Sequence, residues 1–180
     1  MNNPVQLVRI LSSDDPLLAQ VPALYESAFP KQARIPTKRL LELIDERNMM
    51  MFYCATVNDE FCGMASVWTL KSHTIYFHYL AILESMRNRG LGAQAVAQVL
   101  QRCVLYPTVG EVEAPVTDLQ KRRLAFYLRN NFSIASENPT LLNAAHPGND
   151  LYLISNKNID YCLEDVQREI IEQVYSKLHE

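Results

Sequence analysis

Arginines and glycines follow an apolar run near the middle of the chain. The run Ile75 to Leu83 has the composition of a buried strand, and the pattern Arg-x-x-Gly-x-Gly comes after it, from Arg87 to Gly92. A helical pattern of apolar residues begins directly afterwards. A turn between a strand and a helix N-terminus presents unpaired backbone N–H groups and the positive end of the helix dipole. The spacing therefore predicts a site for a phosphate group.

The two glycines of this turn distinguish it from the common nucleotide motifs. Gly90 and Gly92 let the backbone bend freely and let an anion approach without a Cβ in the way. The spacing is not G-x-x-x-x-G-K-[ST], and the third glycine of G-x-G-x-x-G is missing. We expect a phosphate cradle of another kind.

A second segment gives the cradle a family context. It runs Arg-Leu-Ala-Phe-Tyr-Leu-Arg-Asn-Asn-Phe from Arg123 to Phe132. Together the two segments resemble the GCN5-related N-acetyltransferase (GNAT) superfamily. Phe29-Pro30, the segment from Glu111 to Pro115 and the run from Arg122 to Phe132 also resemble a bacterial branch of it with poorly defined substrates. The detailed resemblance covers about Phe61 to Ile134. Glu84 stands where a proline is frequent, and Asn131 replaces the usual glycine, which suits a left-handed helix end.

The resemblance implies a cofactor site and an acid. The turn would hold the pyrophosphate of acetyl-CoA, with a backbone N–H near Ile82 as the oxyanion donor. Tyr127 would protonate the departing sulfur, because a phenol with an unperturbed pKa of about 10 is protonated at neutral pH. The residues expected to bind the cofactor are Ile82, Leu83, Arg87, Asn88, Arg89, Gly90, Leu91, Gly92, Ala93, Gln120 and Arg123.

The group that takes the proton of the amine is left open by the sequence. Glu111 and Glu113 share one face of a predicted strand, and Glu113 lies nearer to the end where the strand should part from its neighbour. His78 is the other candidate, since its unperturbed pKa of about 6.5 suits a base. The alternatives are solvent-facing carboxylates and a hydrogen-bonded structural histidine. An amine of low pKa needs no base.

Length and composition agree with one catalytic domain. The chain has 180 residues, of which 48% are hydrophobic and 21% charged, and its net charge is −3. This charge gives no general attraction for nucleic acid or for a membrane surface. We also expect no leader peptide at the N-terminus and no membrane-spanning run.

The cysteines and histidines do not have the spacing of a metal site. The four cysteines form no C-x-x-C pair, and the four histidines are not spaced as zinc ligands near them. We therefore expect reduced thiols, as in a cytoplasmic protein, and no metal.

The predicted elements alternate between strands and helices, which indicates an α/β fold. For the GNAT fold the resemblance implies a mixed, mainly antiparallel twisted sheet flanked by helices, with two central strands splayed at their ends. The predicted strands are Val5–Ile10, Met51–Val57, Cys62–Leu70, Ile75–Leu83, Glu111–Pro115 and Leu151–Ser155. The predicted helices begin at Pro16, Thr37, Leu91, Asp118 and Asp160, with Thr37 and Asp160 as caps.

Residues 1–155 are expected to form the acetyltransferase domain, and residues 156–180 an added C-terminal helix. The apolar stripe of this helix would cover the sheet or form a homodimer interface. A loop is expected from Asn138 to Asn149, which contains Pro139, Pro147 and Gly148.

These features predict an N-acetyltransferase that moves an acetyl group from acetyl-CoA directly to a primary amine. The acceptor would be a small molecule or a peptide. One alternative is a non-catalytic acyl-CoA-binding module of the same fold, and a pure interaction domain is a third class. Tyr127 together with the carboxylate of Glu113 favours the enzyme.

Overall fold

The structure is a computed structural model, and it describes residues 4–47, 49–148 and 150–179. The strands are β1 Gln6–Ile10, β2 Met50–Val57, β3 Glu60–Thr69, β4 Ile75–Ile82, β5 Thr108–Glu113, β6 Ser133–Ser136 and β7 Leu151–Ser155. The α-helices are α1 Val21–Ala28, α2 Thr37–Glu46, α3 Leu91–Arg102, α4 Asp118–Leu128, α5 Thr140–Ala145 and α6 Leu163–Gln173.

The strands are hydrogen-bonded in the order β1-β2-β3-β4-β5-β7-β6. The pairs β1–β2, β2–β3, β5–β7 and β6–β7 are antiparallel, whereas β4–β5 is parallel. The predicted α/β class, a mixed sheet flanked by helices, is confirmed. By its contacts the chain divides into two compact units. The first comprises Met1–Trp68, His78–Val99 and Ser176–Glu180, and the second comprises Thr69–Phe77 and Leu100–Tyr175.

In the first unit, a tight hairpin and two glutamines order the strands. Asn58 and Asp59 both have positive φ, at 53° and 63°, as a two-residue hairpin turn between twisted strands requires. The side chain of Gln94 on α3 accepts a hydrogen bond from the N–H of Val5 at 2.8 Å. Gln98, one turn later, accepts one from the N–H of Leu7 at 3.1 Å. Helix α3 is therefore fixed to the edge strand β1.

In the second unit, β5 lies between β4 and β7. Its parallel pairing with β4 runs from Ile75↔Thr108 to Phe77↔Gly110, and its antiparallel pairing with β7 extends to Glu113↔Leu151. Helices α5 and α6 pack on each other, so the apolar stripe of α6, with Val166 and Ile170, is buried within this unit. A dimer interface stays a prediction.

Two predicted caps are wrong. Thr37 is the first residue of α2 rather than its cap, and its hydroxyl donates to Glu26 instead. Asp160 begins a short 3₁₀ turn, Asp160–Cys162, and α6 follows from Leu163 without a side-chain cap. In both places a polar side chain suited to capping has another partner: the carboxylate of Asp160 accepts a hydrogen bond from Nδ2 of Asn158 at 2.9 Å.

The sequence analysis did not predict two of the elements. Helix α5 occupies half of the segment expected to be a loop, because Leu142 is buried and the N–H of Leu141 bonds to the side chain of Gln167 on α6. Strand β6 has four residues and forms only by pairing with β7. Asn149, at the end of that expected loop, lies outside the described residues. Propensity alone identifies neither element, since tertiary contacts stabilise both.

Among the described residues, none of the helices has the length and apolar composition needed to cross a bilayer. All four cysteines are unpaired and buried, and burial raises the pKa of the Cys54 thiol to about 12. These thiols are therefore protonated at neutral pH.

Candidate functional site

In the first unit, the turn between β4 and α3 has the conformation that its sequence predicts. The chain leaves β4 with the N–H of Leu83 bonded to the carbonyl of Cys62 at 2.9 Å. A 3₁₀ turn at Glu84–Met86 follows. Asn88 and Gly90 then have positive φ, 62° and 76°, before α3 begins at Leu91. The two left-handed residues reverse the chain so that a helix N-terminus follows the strand directly.

Gly90 has the conformation and the free space that the predicted anion site needs. A Cβ built on it meets no atom within 4 Å, so its surroundings are open, and its positive φ favours glycine. The first helical bond runs from the N–H of Gln94 to the carbonyl of Gly90 at 3.1 Å. The N–H groups of Leu91, Gly92 and Ala93 precede it, and such groups have no partner within their own helix. They are the donors that a phosphate would use.

Arg87 and Arg89 add positive charge to this turn. The Nε of Arg87 donates to the carbonyl of Ile82 at 3.1 Å, which attaches this side chain to the last residue of β4. Arg89, like Arg87, is exposed. The predicted cofactor residues from Ile82 to Ala93 are thus brought together in one turn.

Gly63, which the sequence analysis did not single out, determines how closely β3 approaches β4. A Cβ at this position would lie 2.4 Å from the carbonyl oxygen of Ala81 and 2.8 Å from Cδ1 of Ile82. Real Cβ atoms do not approach other atoms so closely, so only glycine fits without a shift of the strand that carries the turn. An isolated glycine within a strand pattern is the signal that could have identified it.

In the second unit, α4 is fixed at its N-terminus by a capping box. The hydroxyl of Thr117 accepts from the N–H of Gln120 at 3.3 Å, and the side-chain oxygen of Gln120 accepts from the N–H of Thr117 at 2.8 Å. A Thr-x-x-Gln sequence at a helix start predicts such a capping box. The sequence analysis predicted the helix start at Asp118 but did not use this signal. The oxygen of Gln120 is occupied in the cap, and a cofactor contact by Gln120 stays a prediction.

The other end of α4 positions Tyr127. Asn131 is left-handed, with φ 66°, and the N–H of Phe132 bonds to the carbonyl of Tyr127 at 3.2 Å. This bond and the contact between the rings of Tyr127 and Phe132, 5.6 Å apart, form a Schellman-type helix end. The expectation that asparagine replaces glycine in this conformation is confirmed.

The phenol of Tyr127 is surrounded by aromatic rings. Phe77 and Phe126 lie edge-on to it, with ring centroids 6.4 Å and 5.1 Å away. Burial raises the pKa of Tyr127 to about 12, and the positive charge of Arg123 limits the rise. The phenol therefore keeps its proton at neutral pH, as an acid for a leaving group must.

Glu113 and Arg123 form an ion pair. The side chain of Glu113 is 43% exposed and that of Arg123 is 44% exposed, so solvent weakens the ion pair. The structure brings Glu113, Arg123 and Tyr127 together in the second unit, where α4 packs against β5. A role for Glu113 as a base is an untested prediction.

His78 is hydrogen-bonded inside the first unit. The indole Nε1 of Trp68 donates to its Nδ1 at 3.2 Å, so this ring nitrogen carries no proton. The ring also stacks on Tyr79, with centroids 3.6 Å apart. Burial lowers the pKa of His78 to about 3, which leaves it neutral across the physiological range. Its assignment as a base likewise stays a prediction.

Among the described residues there is no cluster of three or more histidine, cysteine, aspartate or glutamate side chains that could hold a metal ion.

Comparison with known proteins identifies the family and agrees with the fold. The model of the acetyltransferase (GNAT) family matches residues 18–132, which is more than half of the chain. No curated protein shows significant similarity to it.

Solved structures with the same fold are numerous. A GNAT-family protein from Bacteroides thetaiotaomicron is 23% identical, with a TM-score of 0.75 over 95% of this chain and 97% of that one. A GNAT acetyltransferase from Elizabethkingia anophelis with acetyl-CoA bound is 17% identical, with a TM-score of 0.60 over 84% and 97%. Arabidopsis thaliana Naa50, in complex with the bisubstrate analogue CoA-Ac-MVNAL, is 20% identical, with a TM-score of 0.60 over 86% and 99%.

At these identities the structures establish the fold, while the matching family model establishes membership. The chain therefore belongs to the acetyltransferase (GNAT) family and is an acetyl-CoA-dependent acetyltransferase.

Proposed function

We propose that this enzyme transfers the acetyl group of acetyl-CoA directly to a primary amine on a small molecule or a peptide. The observation that carries the proposal is the turn from Arg87 to Ala93. It combines an open, left-handed glycine with the N-terminus of a twelve-residue helix and two arginines. Such a turn suits a pyrophosphate.

Two of the similar structures support the choice of substrates. The protein from Elizabethkingia anophelis binds acetyl-CoA, and Arabidopsis Naa50 binds an analogue that joins CoA, an acetyl group and the peptide MVNAL. A peptide amine is thus one acceptor that this fold accommodates.

In the proposed reaction the neutral amine nitrogen attacks the thioester carbonyl carbon. A C–N bond forms, the C–S bond breaks, and the thiolate receives the proton of the Tyr127 hydroxyl. A backbone N–H near Ile82 is the predicted donor to the oxyanion, although that of Leu83 already bonds to Cys62. Binding both substrates together supplies much of the acceleration. The sequence analysis predicts Glu113 or His78 as the base that takes the proton lost by the amine nitrogen.

The first experiment tests the cradle by calorimetry with CoA. Gly90→Glu places a side chain and a negative charge at the turn, so CoA affinity should fall by at least about tenfold, or 1.4 kcal/mol. Gly148→Glu is the matched control, because Gly148 also has a positive φ (91°) and no atom within 4 Å of a built Cβ. Equal CoA affinity in the two variants would contradict the cradle.

The second experiment tests the reaction. Release of free thiol from acetyl-CoA is measured with a polyamine, an aminoglycoside, an amino acid, a peptide N-terminus and a lysine-containing peptide as acceptors. Acetylation of at least one amine, confirmed by mass spectrometry, is the expected result. Tight CoA binding without turnover on any amine would favour the non-catalytic acyl-CoA-binding module.

A further inference from the structure

Two glutamines of α3 hold the main chain of the edge strand β1. The Oε1 of Gln94 accepts from the N–H of Val5 at 2.8 Å, and the Oε1 of Gln98 accepts from the N–H of Leu7 at 3.1 Å. The Nε2 of Gln98 also donates to the carbonyl of Val5. The side chains of Gln94 and Gln98 form a glutamine clamp, and all four residues belong to the first unit.

The amide group of Gln98 takes the place of a neighbouring strand. In a parallel sheet, a residue donates its N–H to a carbonyl of the next strand and accepts from the N–H two residues further along. Gln98 does this with its side chain, since it donates to Val5 and accepts from Leu7. Main-chain groups at an open sheet edge can pair with other chains, and a covering helix prevents this. Helix α3 therefore closes the edge of β1 at these two residues.

The spacing of the clamp fits both elements. Four residues, from Gln94 to Gln98, span about 6 Å of a helix, and two residues, from Val5 to Leu7, span about 6.6 Å of a strand. Gln94 bonds to the earlier strand residue and Gln98 to the later one, so α3 runs in the same direction as β1. A rotation of the helix by one residue, about 100°, would turn both glutamines away from the strand. The clamp therefore fits only one position of α3 along β1.

The clamp begins where the cradle ends. The donors expected for the pyrophosphate are the N–H groups of Leu91, Gly92 and Ala93, and Gln94 is the next residue. The N–H of Gln94 makes the first helical bond, to the carbonyl of Gly90 at 3.1 Å. Gln94 is thus joined to the turn by its main chain and to the sheet edge by its side chain.

The apolar face of α3 fixes the helix less closely than the clamp does. Its buried residues are Leu91, Ala95, Val96 and Val99. Burial of apolar surface has no preferred direction. A hydrogen bond, in contrast, weakens steeply when its donor and acceptor move out of line. The directional part of the attachment to β1 therefore comes from the two glutamines.

We propose that Gln94 and Gln98 are positioning residues for the cofactor, because their bonds to β1 hold the N-terminus of α3 where its first N–H groups fit the pyrophosphate of CoA. This inference rests on the cradle of the proposed function. The two side chains act through α3 and take no part in the chemical step. Coupling between two sites is reciprocal, so bound CoA in turn favours the closed clamp.

The first test is calorimetry with CoA on full-length variants. Gln94→Met and Gln98→Met, combined in one variant, remove the three bonds, and methionine has nearly the helix propensity of glutamine. CoA affinity should fall by at least about fivefold, the lower end of the usual range for coupled sites. Gln101→Met is the matched control, because Gln101 is an exposed residue of the same helix. Equal CoA affinities of the double variant and the control would overturn the proposal.

Kinetics with the accepted amine distinguish positioning from a general loss of structure. The KM of the double variant for acetyl-CoA should rise by at least about fivefold, while kcat stays within about twofold of the parent. The reason is that bound cofactor restores the position of α3. A purely structural role would lower kcat through loss of folded enzyme and leave KM unchanged, and that result would overturn the proposal.

The second test needs no substitution, so it decides the matter even if the double variant does not fold. Amide hydrogen exchange of the parent is followed by NMR with and without saturating CoA. The N–H groups of Val5 and Leu7 exchange when the clamp opens, so CoA should slow both by at least about fivefold.

Val8 is the control amide for this exchange experiment. Successive amides of a strand point to opposite edges, so the N–H of Val8 faces β2, with which it pairs at Cys54. Unfolding of the whole unit would expose Val5, Leu7 and Val8 alike. Exchange that CoA slows no more at Val5 and Leu7 than at Val8 would overturn the proposal.

These tests separate this inference from the proposed function. Reduced CoA affinity of Gly90→Glu, with unchanged affinity of the double variant, would keep the cradle and overturn the positioning role. Reduced CoA affinity of the double variant, in a protein that acetylates none of the amines, would support the positioning role and contradict amine acetylation.

Discussion

Tyr127 is positioned by the way its own helix ends. The left-handed Asn131 brings the N–H of Phe132 to the carbonyl of Tyr127 and sets the two rings against each other. The aromatic surroundings and the neighbouring Arg123 then determine the state of its hydroxyl. Packing and chemistry therefore depend on different parts of one side chain, and a substitution can separate them.

Tyr127→Phe keeps the ring and its packing and removes only the hydroxyl. If this hydroxyl protonates the leaving thiolate, the interaction exists only as the C–S bond breaks, so kcat should fall by about 10²–10⁴-fold. CoA affinity should stay within about twofold. Steady-state kinetics with the accepted amine and calorimetry with CoA measure the two quantities.

Tyr161→Phe is the control for this prediction, because Tyr161 belongs to the same unit and is 76% exposed. A kcat of Tyr127→Phe within a few-fold of the parent would reduce Tyr127 to a packing residue, and water or the proton of the amine would serve instead.

The carboxyl group of Glu111, whose Oε1 is buried, should affect stability. Its pKa is about 7 in the folded chain, against an ordinary value of 4.5, so the folded state binds this proton more tightly than the unfolded state. Stability is therefore lost as pH rises from about 4.5 to about 7. Glu111→Gln is neutral throughout, so its free energy of unfolding should exceed that of the parent at about pH 8 by on the order of 2–3 kcal/mol.

Urea unfolding at about pH 5 and about pH 8 measures this difference. Glu169→Gln is the control for removal of a carboxylate from the same unit. The difference in free energy of unfolding between Glu111→Gln and the parent could instead be the same at both pH values. The charge of Glu111 would then not destabilise the fold.

At the scale of elements, the turn that carries the cradle depends on how β3 meets β4. Gly63 leaves no space for a Cβ beside Ala81 and Ile82, the last residues of β4 before the turn. Gly110 on β5 differs, because a Cβ there would make ordinary contacts, 3.5 Å from the carbonyl oxygen of Phe77 and 3.6 Å from Ile154.

Gly63→Ala should therefore lower the free energy of unfolding by about 1–3 kcal/mol, the usual cost of overpacking. It should weaken CoA binding too, since the displaced strand leads into the cradle. Gly110→Ala, the matched control, should change stability by less than about 1 kcal/mol. Thermal unfolding and CoA calorimetry check both variants, and equal stability losses would refute the close approach at Gly63.

At the scale of the whole molecule, the charge of the chain opposes an anionic cofactor, whereas the arginines of the turn are predicted to attract it. The net charge is −3, yet Arg87 and Arg89 stand exposed beside the N-terminus of α3. Attraction between exposed charges is screened by salt, over a distance that falls from about 10 Å at 0.1 M to about 3 Å at 1 M.

The dissociation constant of CoA should accordingly rise several-fold between about 0.05 M and about 0.5 M salt. Arg89→Gln should flatten this dependence, whereas Arg168→Gln, which removes an exposed charge of α6, should leave it unchanged. Calorimetry over a salt series provides the measurement, and a salt-independent dissociation constant would count against the arginines.

The sequence by itself determined the fold class, the family and the conformation of the turn between β4 and α3. These depend on local rules: an apolar run, glycines at fixed spacing, a helix start directly behind them, and an asparagine suited to a left-handed helix end. Gly90 and Asn131 have the conformations that their residue types indicate, because backbone sterics act within a few residues. The hairpin at Asn58 and Asp59 follows for the same reason.

Tertiary structure alone decided which polar side chains are buried and what they contact. Glu111 and Glu113 are equivalent in sequence, two residues apart on one strand. In the fold, Glu113 pairs with Arg123 near solvent, whereas Glu111 accepts a hydrogen bond from Tyr175, sixty-four residues away, and its Oε1 is buried. Helix α5 and strand β6 likewise form because distant partners bury or pair them. Desolvation and long-range contacts leave no local pattern, and they set the pKa values on which the proposed chemistry depends.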